Sequence, residues 1–157
     1  SFNSFFEFVR VHNFSVRFIE LMQTGENLNY FKENHVSAEK IRAQLIENYW
    51  ILQDRKEADG PAEIYGHKDY KGTIGLITPY KKGFCTSCNR LRVSARGHLR
   101  LCLFGSGGIN LRPLLQDEEQ KEELKELVLN SLTLKKETHY LQQGHVGDTP
   151  HLASIGG

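Results

Sequence analysis

Apolar and polar positions alternate along this chain with periods that change at identifiable points. From Asn3 to Val11 the spacing predicts a short helix, capped by Asn3 or Ser4, with Phe5, Phe8, Val9 and His12 near one face. Asn13 and Phe14 end it. Ser15 to Leu21 is nearly all apolar apart from two charges and reads as a strand covered on both faces, as in a parallel sheet with helices. Gln23 to Val36 reads as a polar loop. Ser37 is a good N-cap for a helix running to Tyr49, with Ile41, Leu45 and Tyr49 on one side. Asp54 to Gly60 reads as a charged turn, and Ala62 to Tyr65 and Thr73 to Thr78 as strands.

The second half begins with a hairpin. Leu91 to Ala95 and His98 to Phe104 both alternate around the turn at Arg96-Gly97. Gly105 to Gly108 is a link and Asn110 to Pro113 a connector. Asp117, with Gln120 three residues on, has the pattern of a capping box before a helix whose face carries Leu124, Leu127, Val128 and Ser131. From Lys135 onward the polar, glycine-rich sequence predicts a frayed tail, with His139 and His151 solvated or structural. The expected class is α/β with α+β character. The first helix and strand form half of an α/β unit whose preceding strand is absent, and there is no initiator Met. The expectation is a carboxy-terminal fragment or an excised piece.

Charge narrows the function classes. The 157 residues hold 20 Lys and Arg against 19 Asp and Glu, which excludes a generic polyanion-binding protein. The distribution is uneven, however. Lys81, Lys82, Arg90, Arg92, Arg96, Arg100 and Arg112 fall between Lys81 and Gln116, a stretch without Asp or Glu, and such a local field favours an anionic ligand. These cations do not interleave with stacking aromatics, so nucleic acid is not an expected partner. No apolar run approaches a membrane span, and Ser1 to Phe14 lacks the layout of a signal peptide, so no membrane partner is expected. Three cysteines in a metal spacing point to a reducing, cytoplasmic setting.

Those cysteines carry the chemistry. Cys85 and Cys88 form C-x2-C, which turns two sulfurs to one side of a tight knuckle, as in the first half of many zinc or iron–sulfur sites. Cys102 returns on the far arm of the hairpin. Two completions stay open: a zinc site finished by a histidine, or an iron–sulfur cluster with one iron left free. His98 is poorly placed for the first. Four residues of strand span about 13 Å, whereas two ligands of one zinc lie within roughly 4–4.5 Å. His67 is not specified by any spacing. Arg90 and Arg92 alternate with Leu91, so on a strand both guanidinium groups would face one ligand. Arg17 sits in an apolar strand and needs either a carboxylate such as Glu7 or Glu20, or a phosphate.

The stretch F-C-T-S-C-N-R-L-R followed by C-L-F resembles the cluster segment of the molybdenum cofactor biosynthesis protein A family. Arg17 to Met22 followed by Thr24-Gly25, then Gly60-Pro61-Ala62, the G-x-I-G-x-I of Gly72 to Ile77 and the terminal Gly156-Gly157 are similar to that family as well. Gln23, Ser94, Leu101 and Lys136 depart from its pattern without removing a thiolate or an arginine.

The resemblance implies a radical-SAM GTP 3′,8-cyclase of molybdenum cofactor synthesis. Residues 1–36 would then close a partial TIM-type barrel, and residues 37–157 would form an auxiliary-cluster domain of β-hairpins and flanking helices. Cys85, Cys88 and Cys102 would hold an auxiliary 4Fe-4S cluster. Arg17, Arg90, Leu91 and Arg92 would contact GTP, and Met22 would lie against S-adenosylmethionine. Gly156 and Gly157 would thread towards the active site. A second 4Fe-4S cluster, which cleaves S-adenosylmethionine, would belong to an amino-terminal half whose C-x3-C-x2-C motif is not in this sequence. No catalytic residue is therefore assigned here, and the chain alone is expected to be inactive. Further expected partners are that amino-terminal half and a second copy in a homodimer. The alternative is a zinc-stabilised binding module.

Overall fold

The first 81 residues supply a four-stranded mixed sheet under two helices. The computed structural model describes residues 2–54, 60–86 and 88–154. Helix α1 (Phe2–Val11) leads into strand β1 (Ser15–Ile19). Helix α3 (Ala38–Glu47) follows the shorter α2 (Leu28–Asn34) and leads to β2 (Ile51–Leu52), β3 (Glu63–Gly66) and β4 (Thr73–Ile77). The strand order is β1-β4-β3-β2, with β1 parallel to β4 and the other pairs antiparallel.

Period two decides which side chains enter the core. Val16 and Phe18 stand beside Ile74 and Leu76 in register and pack with Val9, Leu45, Trp50 and Tyr65. The Phe2 ring stacks on Phe18 at 4.7 Å, and Phe6 lies 5.7 Å from Trp50.

Several expectations change here. Helix α1 starts at Phe2, so neither Asn3 nor Ser4 caps it. Its inward face is Phe2, Phe6 and Val9, whereas Phe5 and Phe8 are exposed. Strand β1 is shorter than expected and is not covered on both faces: Ser15, Arg17 and Ile19 are exposed while Val16 and Phe18 are half-buried. Within this unit α1 and α3 pack on the face that carries Val16 and Phe18, and alternation is the consequence. The segment read as a loop from Gln23 to Val36 contains α2, a helix without a buried residue and hence without a strong apolar pattern. The Ser37 cap is present, its Oγ accepting from the Glu39 amide at 3.3 Å. The helix ends at Glu47, however, and Tyr49 adopts a left-handed φ of 61°, which turns its ring to solvent and lets Trp50 enter the core. The expected turn from Asp54 to Gly60 lies mostly outside the described residues.

The remaining residues form a three-stranded antiparallel sheet, β5 (Arg92–Val93), β6 (His98–Arg100) and β7 (Ile109–Asn110), in that order. The hairpin turn is as expected, with Gly97 at φ 74°. Its returning arm leaves the ladder after Arg100, and Ile109–Asn110 is a third strand, although Asn110 is expected to open a connector. The Asp117 capping box is present: Asp117 Oδ1 accepts from the Glu119 amide at 3.1 Å, and Gln120 Oε1 accepts from the Asp117 amide at 3.2 Å. It opens a 3₁₀ turn that runs into helix α4 (Lys121–Ser131), whose inward face is the expected one.

Among the described residues, the segment 136–154 is not a frayed tail. It holds 3₁₀ turns at Leu141–Gln143 and Leu152–Ser154, and it buries His139, Leu141 and Thr149. By contacts the chain divides into two compact units, Ser1–Met22 with Asn34–Lys81, and Gln23–Glu33 with Lys82–Gly157. Among the described residues, no helix is long and apolar enough to cross a membrane.

Candidate metal and anion site

Two successive turns build the knuckle. Gly83, at φ 80°, offers its carbonyl to the Thr86 amide at 3.2 Å and to the Thr86 hydroxyl at 2.6 Å. The Cys85 carbonyl then accepts from the Cys88 amide at 3.0 Å, which folds the C-x2-C segment back on itself. Cys102 lies two residues beyond β6, and its carbonyl accepts from Gly105 at 3.3 Å. All three thiols are half-buried and none is in a disulfide.

The charges around Cys88 are specific. Lys135 Nζ donates to the Cys88 carbonyl at 3.0 Å and to the Arg90 carbonyl at 3.0 Å, and it lies 3.8 Å from Cys88 Sγ. Burial pushes the Cys88 thiol up. The Arg90 amide, the Lys135 ammonium and the Arg90 guanidinium outweigh it, so the thiol falls below its ordinary range. Arg92 is also half-buried. Burial and the neighbouring Arg90 charge both lower its pKa, whereas the Cys88 and Cys102 sulfurs act the other way. Across the ladder Arg92 stands opposite Arg100, and like charges directly opposite are unfavourable without counter-charge. Arg100 has its own carboxylate, Asp148, at 2.7 Å.

The strand argument for Arg90 does not hold, because β5 begins at Arg92. Arg90 instead joins the site electrostatically, as one of the groups that hold the Cys88 thiol below its ordinary range. Leu91 between them is partly exposed. Among the described residues, no three His, Cys, Asp or Glu side chains gather closely enough to hold a single metal ion. His98 is half-buried on β6, its amide donating to Ser94 Oγ at 3.2 Å. His67, in the first unit, packs its ring against Trp50 and Tyr70, and its Nδ1 accepts from the Asp69 amide at 3.1 Å.

The remaining candidates lie in the first unit or outside the described residues. Arg17, in the first unit, is exposed on the face of β1 away from the helices, opposite Gly75. A Cβ at Gly75 would come within 2.9 Å of Arg17 Cγ and 3.2 Å of Ile64 Cδ1, so the glycine is what lets the Arg17 stem cross the sheet. Met22, also in that unit, is half-buried. Gly156 and Gly157 lie outside the described residues.

Sequence reasoning missed two features of the second unit. One is Lys135, which carries no local signal. The other is a cavity of about 560 Å³ beside Cys102, bordered by Phe104, Lys136, His139, Tyr140 and His145. His139 is structural: its ring meets Phe104 and Phe84, and its Nδ1 accepts from the Leu141 amide at 3.0 Å.

Residues 14–141 match the family model described as Molybdenum Cofactor Synthesis C. The chain is 52% identical over 155 residues to a GTP 3′,8-cyclase of Yersinia pestis, covering 99% of this chain and 48% of that protein. It is 53% identical over 154 residues to the GTP 3′,8-cyclase of Vibrio parahaemolyticus, covering 98% and 46%. A third GTP 3′,8-cyclase, from Vibrio cholerae, is 54% identical over 153 residues, with coverage of 98% and 46%. The chain spans about half the length of the curated relatives it matches and aligns to their carboxy-terminal part.

Proposed function

The chain belongs to the Molybdenum Cofactor Synthesis C family, and from that premise we propose that it is the carboxy-terminal part of a GTP 3′,8-cyclase, a radical-SAM lyase. Its share of the work is substrate binding. Cys85, Cys88 and Cys102 hold an auxiliary 4Fe-4S cluster with one iron free of protein ligands, and Arg90, Leu91 and Arg92, with Arg17, take GTP.

One observation carries this reading: Arg92 is half-buried on β5 and stands directly opposite Arg100 in the ladder, a pairing of like charges whose cost favours an anion beside it. A polyanion relieves that cost, and guanidinium forks match phosphate oxygens. The donor set fits iron, since the thiolate is the ligating form and Cys88 is biased towards it by the cations around it. When bound, such a cluster supplies an open Lewis-acidic iron for the purine. The chain itself orients the nucleotide, with two guanidinium groups on phosphate oxygens and the Leu91 backbone between them.

The same proposal takes residues 1–36 as the end of a partial TIM-type barrel, with Met22 against S-adenosylmethionine, and residues 37–157 as the auxiliary-cluster domain. It takes Gly156 and Gly157 as a tail reaching towards the active site, in a cytoplasmic enzyme. It assigns the cleavage of S-adenosylmethionine, and its cluster, to an amino-terminal half with which this chain works. The purified chain alone therefore yields no cyclised GTP.

Anaerobic reconstitution followed by iron, sulfide and zinc analysis tests the reading. The expected result is a brown protein with about four irons and four sulfides per chain, lost in Cys102→Ala. Stoichiometric zinc that resists replacement during reconstitution would establish the structural zinc module instead.

A further inference from the structure

The segment from Gly144 to Pro150 lies far from the cysteine motif in sequence, yet it is fastened to the loop that carries Cys102. Thr149 is fully buried, at 0% exposure, and its hydroxyl donates to the carbonyl of Leu103 at 2.6 Å. Arg100, two residues before Cys102, donates through Nη2 to Asp148 Oδ1 at 2.7 Å and to Thr149 Oγ1 at 3.4 Å, and through Nη1 to the Gly107 carbonyl. The Gly107 amide closes the ring by donating to Asp148 Oδ2 at 2.6 Å. Gly147 has φ 63°, and a Cβ there would run into the Phe104 carbonyl, so the segment lies directly on the loop. From its other side Thr149 is held by the Gly25 amide, which donates to its carbonyl at 2.9 Å, and Pro150 by the Glu26 amide at 3.0 Å.

Strand β6 ends at Arg100, so no ladder fixes Cys102. Beyond the Gly105 amide on its own carbonyl, what fixes it are bonds to the residues on either side. The Asp148 carboxylate spans the loop from Arg100 to Gly107, and the Thr149 hydroxyl takes the carbonyl adjoining Cys102. The Arg100 side chain is only 12% exposed, so its bond to the carboxylate is charge-assisted and partly shielded from solvent.

We propose that Asp148 and Thr149 are positioning residues for Cys102, clamping the loop from Arg100 to Gly107 so that the third sulfur is held where a shared cluster needs it. The part of this that concerns the cluster rests on the reading given above.

The test compares the 157-residue chain with Thr149→Val, Thr149→Ser and Asp148→Asn. In the metal-free proteins, the alkylation rate of each cysteine by iodoacetamide is followed by peptide mass spectrometry. In the reconstituted proteins, iron release to a chelator is timed. Thr149→Val and Asp148→Asn are expected to alkylate at Cys102 and to lose iron about fivefold faster, the factor one lost hydrogen bond is worth. Cys85 is expected to keep its rate, and Thr149→Ser to behave as the parent. Unchanged Cys102 alkylation in both variants overturns the clamp, and so does an equal rise at all three cysteines, which reports general loosening. A parent chain that takes up no cluster, while Cys102 alkylation still depends on Asp148 and Thr149, overturns the cluster reading and supports the clamp.

Discussion

Lys135 makes three contacts at the knuckle: the Cys88 and Arg90 carbonyls at 3.0 Å each and the Cys88 sulfur at 3.8 Å. Lys135→Met removes the donor from both carbonyls, at a cost of about 1–3 kcal/mol for part-buried acceptors left unpaired, measurable by denaturant unfolding. It also removes a positive charge from beside the thiol. The pH midpoint for Cys88 alkylation in the metal-free protein is therefore expected to move up, and an unchanged midpoint would refute the electrostatic account. At this scale the sequence is legible where the pattern is local. The C-x2-C turn, the Ser37 cap and the Asp117–Gln120 box each close within a few residues. Lys135 reaches its partners across 47 positions for Cys88 and 45 for Arg90, and no spacing rule connects them. Gly75 was visible as part of a motif, but its reason, room for the stem of Arg17, needed the sheet register.

Strand β3 shows how one element ties a sheet to a helix. Glu63 and Tyr65 share the face under α3, where Arg42 donates to Glu63 at 2.6 Å, to the Tyr65 hydroxyl at 3.1 Å and to Glu39. Lys81 is the second cation on Glu63. Burial pushes the Glu63 carboxyl up, but the bonds from Lys81 and Arg42 outweigh it and hold it below its ordinary value of 4.5. A depressed acid stabilises the fold above that ordinary value, and the contribution is lost as pH falls through the lower, folded value. Glu63→Gln is expected to lose about 1–2 kcal/mol near neutral pH, less than a fully buried pair because the site is partly exposed. The gap from the parent closes as urea unfolding is repeated below about pH 4; a gap that persists there would assign the loss to packing. The elements that sequence reasoning found were those with a strong apolar period, such as α3, β4 and α4. Strands β2 and β7 have two residues each, too short to show alternation, and they exist because a longer neighbour offers them an edge.

The two compact units give the proposed cluster a defined range of influence. A ligand stabilises the structure it binds by mass action. Reconstitution is therefore expected to slow amide exchange in the stretches around Cys85, Cys88 and Cys102 and in residues 144–150, while α1, α3 and β1–β4 keep their rates. Equal slowing across both units would contradict it. The mixed α/β class was readable from element order alone. The grouping of residues 23–33 with residues 82–157 was not, because it rests on pairings such as Gly25 with Thr149. Those pairings also set a schedule for biosynthesis. Gly25 leaves the ribosome long before Thr149 exists, by on the order of ten seconds at about 5–20 residues per second. During that interval the amides of Gly25 and Glu26 have no native acceptor, so this part of the protein closes late in translation, whatever the nascent chain has already folded.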